Sequence, residues 1–586
     1  MRLSWISELP EDGKLRAQWD DLVLDSEHPE VFLTWEWAAA VTRAYNSSLQ
    51  PWIGTAYEGE ELVGIAALAK TSPTTAVFLA GSTADYCDFI SRPGKRDEFV
   101  RQVISKLKEN GIRTIVLPNL PADSATVAAL CGNRVFRNFL RVGYQCALVR
   151  LGSEEERRFL KKQVLKKSMF RRAMHSLEQL GPVSLRHERG ERLQEGILDT
   201  FVSTHVARFL ATGRVGNLVM KDRRQFLFEL ARLLAERRWF DLMTLSVGDR
   251  EVGFNYGFRY EGRWSWYQPT IVNEFADSSP GFCLLTKIVE DACEDPEAKV
   301  VDLGLGTEGY KERFANAQRT TLHVTLSSNA IDHWRARGRY HVATAIKRRP
   351  GLEALVRQAQ RGISRGRKSV RGNGWFPTLA SAATRVRGFV TGRDEVFLYQ
   401  WPDGMRSSVT GRELVSLSWE NLAAAAMKYS EDRETLEYLL RSADRFRTQQ
   451  HHGYVLPGED GIAEHFAWVA PYEGFVVAEL GQTLRANSPD NVMIFDCWTP
   501  PALRGRGLCS QAIQQLVSSL IGESKDVWIL GQVTDSALLG EIERAGFRRR
   551  FSLVRRKILF WKRTQQQRYE GYTLHSETPP KKAVRL

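Results

Sequence analysis

Apolar and polar positions divide the chain into strand-like and helix-like segments. Residues 52–57 and 61–68 are two mostly apolar runs around Glu58-Gly59-Glu60, the pattern of a hairpin. A helix is expected over 95–110 and a buried strand over 114–117. Further on, 156–180 predicts one long, partly solvated helix. Its apolar pairs Phe159/Leu160, Val164/Leu165, Met169/Phe170 and Ala173/Met174 recur about every five residues, with basic pairs between them. A second hairpin follows at 241–247 and 251–260, turning at Gly248-Asp249-Arg250. Then come a strand at 263–269, a helix at 281–294 and a strand at 299–303.

Segments 1–155 and 156–334 thus share one order, helix, antiparallel hairpin, helix, strand, which implies two related α/β modules. A third module, 394–563, begins with a helical stretch at 412–448. Strands are expected at 463–469, 474–480 and 492–498, then a helix at 508–521. Strand 527–530, helix 536–545 and strand 547–555 complete it. The Gln-, Pro- and charge-rich tail 564–586 reads as disordered.

Composition excludes a disordered chain, a collagen-like repeat and a coiled-coil rod, since 43% of residues are hydrophobic and 26% charged. The net charge of +13 is concentrated in one place. Segment 335–393 holds 15 Lys and Arg against one acid, Glu353, so the rest of the chain is close to neutral. This argues against a nucleic-acid-binding body and isolates a basic linker. Within the linker, Leu352, Leu355, Val356, Ala359 and Ile363 share one helical face, opposite Arg357, Arg361, Arg365 and Lys368. Such a helix suits an anionic membrane surface, packing on a neighbouring module, or RNA, including a tRNA acyl donor. The seven cysteines include no C-x-x-C pair, so neither a disulfide framework nor a metal site is expected. With no signal-peptide core and no long apolar run, the expected location is cytoplasmic, at most peripheral to the inner face of the plasma membrane.

The strongest chemical motif is Thr499-Pro500-Pro501-Ala502-Leu503-Arg504-Gly505-Arg506-Gly507-Leu508-Cys509, between an expected strand and an expected helix. A glycine-rich turn at a helix N-terminus gathers backbone N–H groups and partial positive charge, which suits a pyrophosphate. This stretch resembles the R/Q-x-x-G-x-G/A signature of the GNAT acyltransferase superfamily, on Arg504, Gly507 and Cys509. The resemblance implies an acyl-CoA site at Trp498, Arg504, Gly505, Arg506, Gly507, Leu508 and Cys509, with a central strand ending at Trp498 that splays to admit the thioester. Glu543-Arg544-Ala545-Gly546-Phe547 matches the family's late helix, but Ile542 stands where a thiolate-protonating Tyr is common. Expected bases for the acceptor are Asp496, Glu479 and His465, with no metal required.

Gly304-Leu305-Gly306-Thr307-Glu308-Gly309 fits a dinucleotide fingerprint in letters, yet it follows a late strand and precedes no full helix. Gly362-Ile363-Ser364-Arg365-Gly366 fits a hydrolase elbow without the strand before it. Val301-Asp302-Leu303-Gly304-Leu305-Gly306 followed by Gly309-Tyr310-Lys311 instead resembles CelD-like acetyltransferases and, more distantly, FemAB-like transferases. His205, Arg208, Val252-Gly253-Phe254, Ser279-Pro280-Gly281, 31–37 and Asp85-Tyr86-Cys87-Asp88 support that resemblance in order along 1–330. It implies a site between Asp302, Tyr310, Lys311 and the turn at Ser279, with Lys311 as a charge clamp.

The expected fold is therefore α/β (α+β), with three GNAT-like modules, each a central mixed sheet flanked by helices. The expected function is acyl-CoA-dependent N- or O-acyl transfer, acetyl-CoA-dependent N-acetylation foremost, to an amine or hydroxyl acceptor. The resemblance implies a role in exopolysaccharide, cellulose or cell-envelope chemistry. Two alternatives stand beside it: a non-catalytic scaffold for polysaccharide-synthesis proteins at the membrane, and a FemAB-like transferase using aminoacyl-tRNA.

Overall fold

The computed structural model describes residues 1–11, 13–165, 167–190, 196–306, 308–347, 391–405, 411–449, 451–478, 480–485, 488, 490–521, 526–532, 536–558 and 561–568. Glu479, the expected amphipathic helix of the linker with its Gly362–Gly366 motif, and the tail beyond Arg568 lie outside the described residues. The chain falls into two compact units, Met1–Arg208 with Gly216–Ala354, and Phe209–Val215 with Leu355–Leu586.

One 14-stranded sheet runs through the first unit. From one edge its order is Arg2–Ile6, Gln50–Glu58, Glu61–Ser72, Thr75–Phe78, Thr114–Pro121, Ala317–Ser327, Arg137–Arg150, Val300–Leu305, Arg263–Ser265, Arg250–Tyr260, Phe240–Val247 and Val183–Glu188. Ile90–Ser91 and Gln268–Ile271 pair off this path. The two segments expected as modules interleave here. Ala317–Ser327 of the second is inserted between Thr114–Pro121 and Arg137–Arg150 of the first. Ala147, Val149 and Leu151 accordingly pack in the core beneath helix Pro280–Glu294.

The second unit has an eight-stranded sheet in the order Val415–Ser416, His452–Pro457, Ala463–Pro471, Val492–Trp498, Val527–Gln532, Thr391–Gln400, Arg548–Ile558 and Trp561–Arg568. Three times in the chain a strand, a helix and a parallel neighbouring strand recur. Thr75–Val77 runs beside Thr114–Val116, with helix Arg96–Glu109 between them in sequence. Arg263–Ser265 runs beside Val300–Asp302, bracketing Pro280–Glu294. Val492–Ile494 runs beside Val527–Ile529, bracketing Leu508–Leu520. The fold is thus mixed α/β, with central mixed sheets flanked by helices.

Several sequence expectations need correction. The helix expected over 156–180 is broken into Glu154–Phe159, a π-helical turn at Leu160–Val164, and Ser168–Glu178. A five-residue apolar repeat cannot stay on one face of a 3.6-residue helix, and the wider turn is one way to follow it. The stretch 412–448 is two helices, Trp419–Lys428 and Arg433–Thr448, each starting at a side-chain cap, Ser418 and Asp432. In place of a strand at 474–480, among the described residues Val476–Val477 pairs with Gln482–Thr483. Thr564–Arg568, expected in a disordered tail, continue strand Trp561–Arg568 along Arg548–Ile558. Backbone pairing asks little of side-chain type, so a Gln-rich run can extend a sheet edge.

Candidate active site

In the first unit, strand Arg263–Ser265 pairs with Val300–Asp302 and then leaves it. The Trp266 N–H still donates to the Asp302 carbonyl at 2.8 Å. From Gln268 the chain pairs instead with Gly253–Tyr256. The parallel pair therefore splays just beyond Asp302, and helix Pro280–Glu294 begins a short loop later. Ser279 caps that helix in the left-handed conformation, φ 55°, with its carbonyl accepting from Phe282 and Cys283.

Asp85, from the loop before strand Ile90–Ser91, reaches this splay. A Cβ on Gly304 would lie 2.9 Å from Asp85 Oδ2 and 3.2 Å from the Trp266 carbonyl. Gly304 also has φ 71°, so glycine serves both the close approach and the bend. Burial, and then the Asp302 carboxylate, raise the Asp85 carboxyl to about 7, against the pull of Lys311 and Arg223. A half-buried acid poised near neutrality is the property of a general base.

The expected site residues surround it in different roles. Asp302 is buried and saturated: Oδ1 accepts from the Tyr86 hydroxyl (3.2 Å) and the Gly304 N–H (2.9 Å), and Oδ2 from Arg263 Nη1 (2.8 Å). Arg263 continues to Glu30, which also accepts from Arg319. Lys311 is no surface lysine: it is 5% exposed, donates to the Leu305 carbonyl at 3.1 Å and pairs with Glu308 at 2.7 Å. The Tyr310 hydroxyl accepts from Trp266 Nε1 at 3.1 Å. Opposite, Arg223 donates to the Tyr267 hydroxyl (2.8 Å), which donates to the Thr83 carbonyl (2.5 Å) and so ties the Asp85 loop to the splayed strand. His205 lies beside Gln268 at 3.0 Å, and burial followed by Arg223 lowers it to about 3, so its imidazole stays neutral.

Asp85 entered the sequence reading only inside a family-like run. Nothing local separates it from Asp88, whose oxygens are taken by Ser124, Thr126, the Phe89 N–H and Arg96. The distinction needs a partner far away in sequence, since Tyr86 and Asp302 are 216 positions apart.

In the second unit, Gly505 and Gly507 have φ 80° and 74°, and Gly507 precedes helix Leu508–Leu520, as a glycine cradle requires. Strand Val492–Trp498 leaves its parallel neighbour after Ile494 while staying paired to Phe466 at Trp498, which forms a second splay. Trp498 stacks on Tyr438 at 5.0 Å, and Arg504 lies 4.8 Å over the Trp498 ring while pairing with Glu434 at 2.8 Å. Arg506 is exposed; Leu508 and Cys509 are buried. Three features weaken this site as a reaction centre. Glu541 accepts from the Ser510 N–H at 3.2 Å, placing a carboxylate at the helix N-terminus. Asp496, an expected base, is ion-paired to Arg445 at 2.7 Å. Ile542, in the place of the thiolate-protonating Tyr, is fully buried in the core. His465, another expected base, is buried beside Thr499, with Cys497 and Cys509 nearby.

Residues 166–312, the segment that contains the first splay, match the family model described as an acetyltransferase (GNAT) domain. FemX is similar over 55% of this chain and 97% of its own, at 10% identity and a TM-score of 0.40. L-PGS from Bacillus licheniformis is similar over 55% and 98%, at 11% identity and 0.37. A tandem GNAT protein from the clavulanic acid biosynthesis pathway is similar over 56% and 99%, at 12% identity and 0.35. No curated protein matches. Among the described residues no helix is long and apolar enough to cross a membrane.

Proposed function

We propose that the chain is an acyl-CoA-dependent acyltransferase whose reaction centre is the splay of the first unit, with Asp85 as general base. The observation that carries this reading is the Asp85 carboxyl, raised to about 7 and held close against Gly304 where the parallel strands part. Asp85 takes a proton from an amine or hydroxyl acceptor as it attacks the thioester carbonyl, the C–S bond breaks, and that proton passes to the departing sulfur so that CoA leaves as the thiol. Asp302 is a positioning residue: it fixes Tyr86, Arg263 and the Gly304 turn, and its charge helps raise Asp85. Lys311 supplies a fixed positive charge that keeps Asp85 from rising further. The turn at Ser279 offers the start of a helix to the donor's phosphates. Acetyl-CoA is the expected donor. An exopolysaccharide or envelope acceptor is the pathway we favour, following the CelD-like order of motifs along 1–330.

A second reading concerns the second unit. Its Arg445–Asp496 pair, Glu541 at the helix N-terminus and buried Ile542 support a non-catalytic module that keeps the fold for binding. Isothermal calorimetry of the full chain with acetyl-CoA, paired with thiol release in the presence of amine and hydroxyl acceptors, tests the proposal. Asp85→Asn is expected to keep donor binding and lose about 100-fold or more in turnover. Unchanged turnover in Asp85→Asn, or an absence of acetyl-CoA binding by the wild-type chain, overturns it.

A further inference from the structure

In the second unit, three soft or borderline ligands converge from three separate elements. His465 comes from strand Ala463–Pro471, Cys497 from strand Val492–Trp498 and Cys509 from helix Leu508–Leu520. One ligand atom from each lies within 4.8 Å of the other two. We propose that His465, Cys497 and Cys509 form a zinc site that fastens the helix to the splayed strand.

Three observations support the assignment. A tetrahedral zinc ion holds sulfur and nitrogen ligands at about 2.0–2.3 Å, hence roughly 3.3–3.8 Å from one another, so from within 4.8 Å a contraction of at most about 1.5 Å is needed. His465 is 1% exposed, and its Nδ1 is 2.7 Å from the Thr499 hydroxyl. With Nδ1–H donating to Thr499, the lone pair on Nε2 points elsewhere. Nε2 is buried, and the imidazole lies within hydrogen-bonding reach of the Cys509 thiol. That is the arrangement of a metal-binding imidazole with its second nitrogen anchored.

Metal entry balances charge and protons. Both thiols lose a proton, two Zn–S bonds and one Zn–N bond form, and the ion's two positive charges are cancelled by two thiolates. A neutral cluster suits a site in which His465 and Cys509 are buried. Water takes the fourth position. The site is illegible in sequence because its ligands have no C-x-x-C spacing and meet only in the fold.

The test uses the full chain, stripped with a chelator and titrated with Co²⁺ alone, then with Zn²⁺ as competitor. The expected result is one Co²⁺ per chain, with thiolate charge-transfer absorption, tetrahedral d–d bands, and two protons released per ion. Zn²⁺ should erase the bands. Cys497→Ser, at the half-buried ligand, and Cys509→Ser should each lose them while circular dichroism stays unchanged. Thr499→Ala should weaken binding about 10–100-fold, as loss of a partner behind the ligand does. The inference is overturned by absence of the charge-transfer band, by bands that survive in the Cys497→Ser/Cys509→Ser double variant, or by a Cys497–Cys509 disulfide in the purified chain. Each readout is independent of acyl transfer.

Discussion

Asp85→Asn should make the protein more stable and less active, and the stability gain should depend on pH. The Asp85 carboxyl is raised from 3.8 to about 7 in the folded chain, so folding favours its protonated form. Its contribution is fully present below about pH 4, falls as pH rises and is lost once pH passes about 7. At about 1.4 kcal/mol per pKa unit the ceiling is roughly 4 kcal/mol. Asp85 keeps some contact with water, and screening reduces the working figure to about 2 kcal/mol. Asparagine cannot ionise. The variant should therefore match the wild type near pH 4 and exceed it by about 2 kcal/mol near pH 8. Urea unfolding at both pH values, read by circular dichroism and by tryptophan fluorescence, measures the difference. A stability difference that stays constant across that range, or grows as pH falls, refutes the assignment of a raised carboxyl at Asp85.

Three further outcomes follow from named contacts. Asp302→Ala leaves Arg263 with only Glu30 and removes the acceptor of the Tyr86 hydroxyl and the Gly304 N–H, so chemical denaturation should show a loss of about 3 kcal/mol. For His187, burial disfavours the charge, but hydrogen bonds to Asp241 and Asp291 outweigh it and raise the imidazole. Its stabilisation is present below about pH 6.5 and lost as pH rises through the raised value, so the deficit of His187→Gln in thermal melting should be largest in acid and shrink in alkali. Glu541→Gln removes the carboxylate at the Ser510 N–H, and pyrophosphate should then bind the second unit about fivefold more tightly by calorimetry, about 1 kcal/mol.

Much of the fold was readable because local rules agreed with the final packing. The hairpin at Glu58-Gly59-Glu60, helix Pro280–Glu294 and strand Val492–Trp498 follow directly from apolar period and turn chemistry. Long-range pairing was not readable. Nothing in 317–327 says that it will sit between two strands of the preceding segment. The π-helical turn at Leu160–Val164 was visible only as an apolar repeat of the wrong period. The same divide runs through the sites. The motif around Asp302 and Lys311 pointed to the turn beside which Asp85 lies, since local sequence fixes the turn that holds both. Asp85, whose acidity depends on Asp302, Lys311 and Arg223 from other elements, could not be told from Asp88. The glycines at 505 and 507 were legible from their own backbone demands, whereas Glu541 and Arg445, which occupy that site's helix end and acid, were not.

The central claim is acyl transfer with Asp85 as base. The most direct measurement is the pH dependence of kcat/KM for thiol release from acetyl-CoA by the full chain, with wild type and Asp85→Asn run side by side. The account predicts a wild-type rate that rises with pH and levels above about 7, and a variant that is slower by about 100-fold or more and lacks that rise. A wild-type profile flat through that region, or a variant that keeps the same rise, would contradict it.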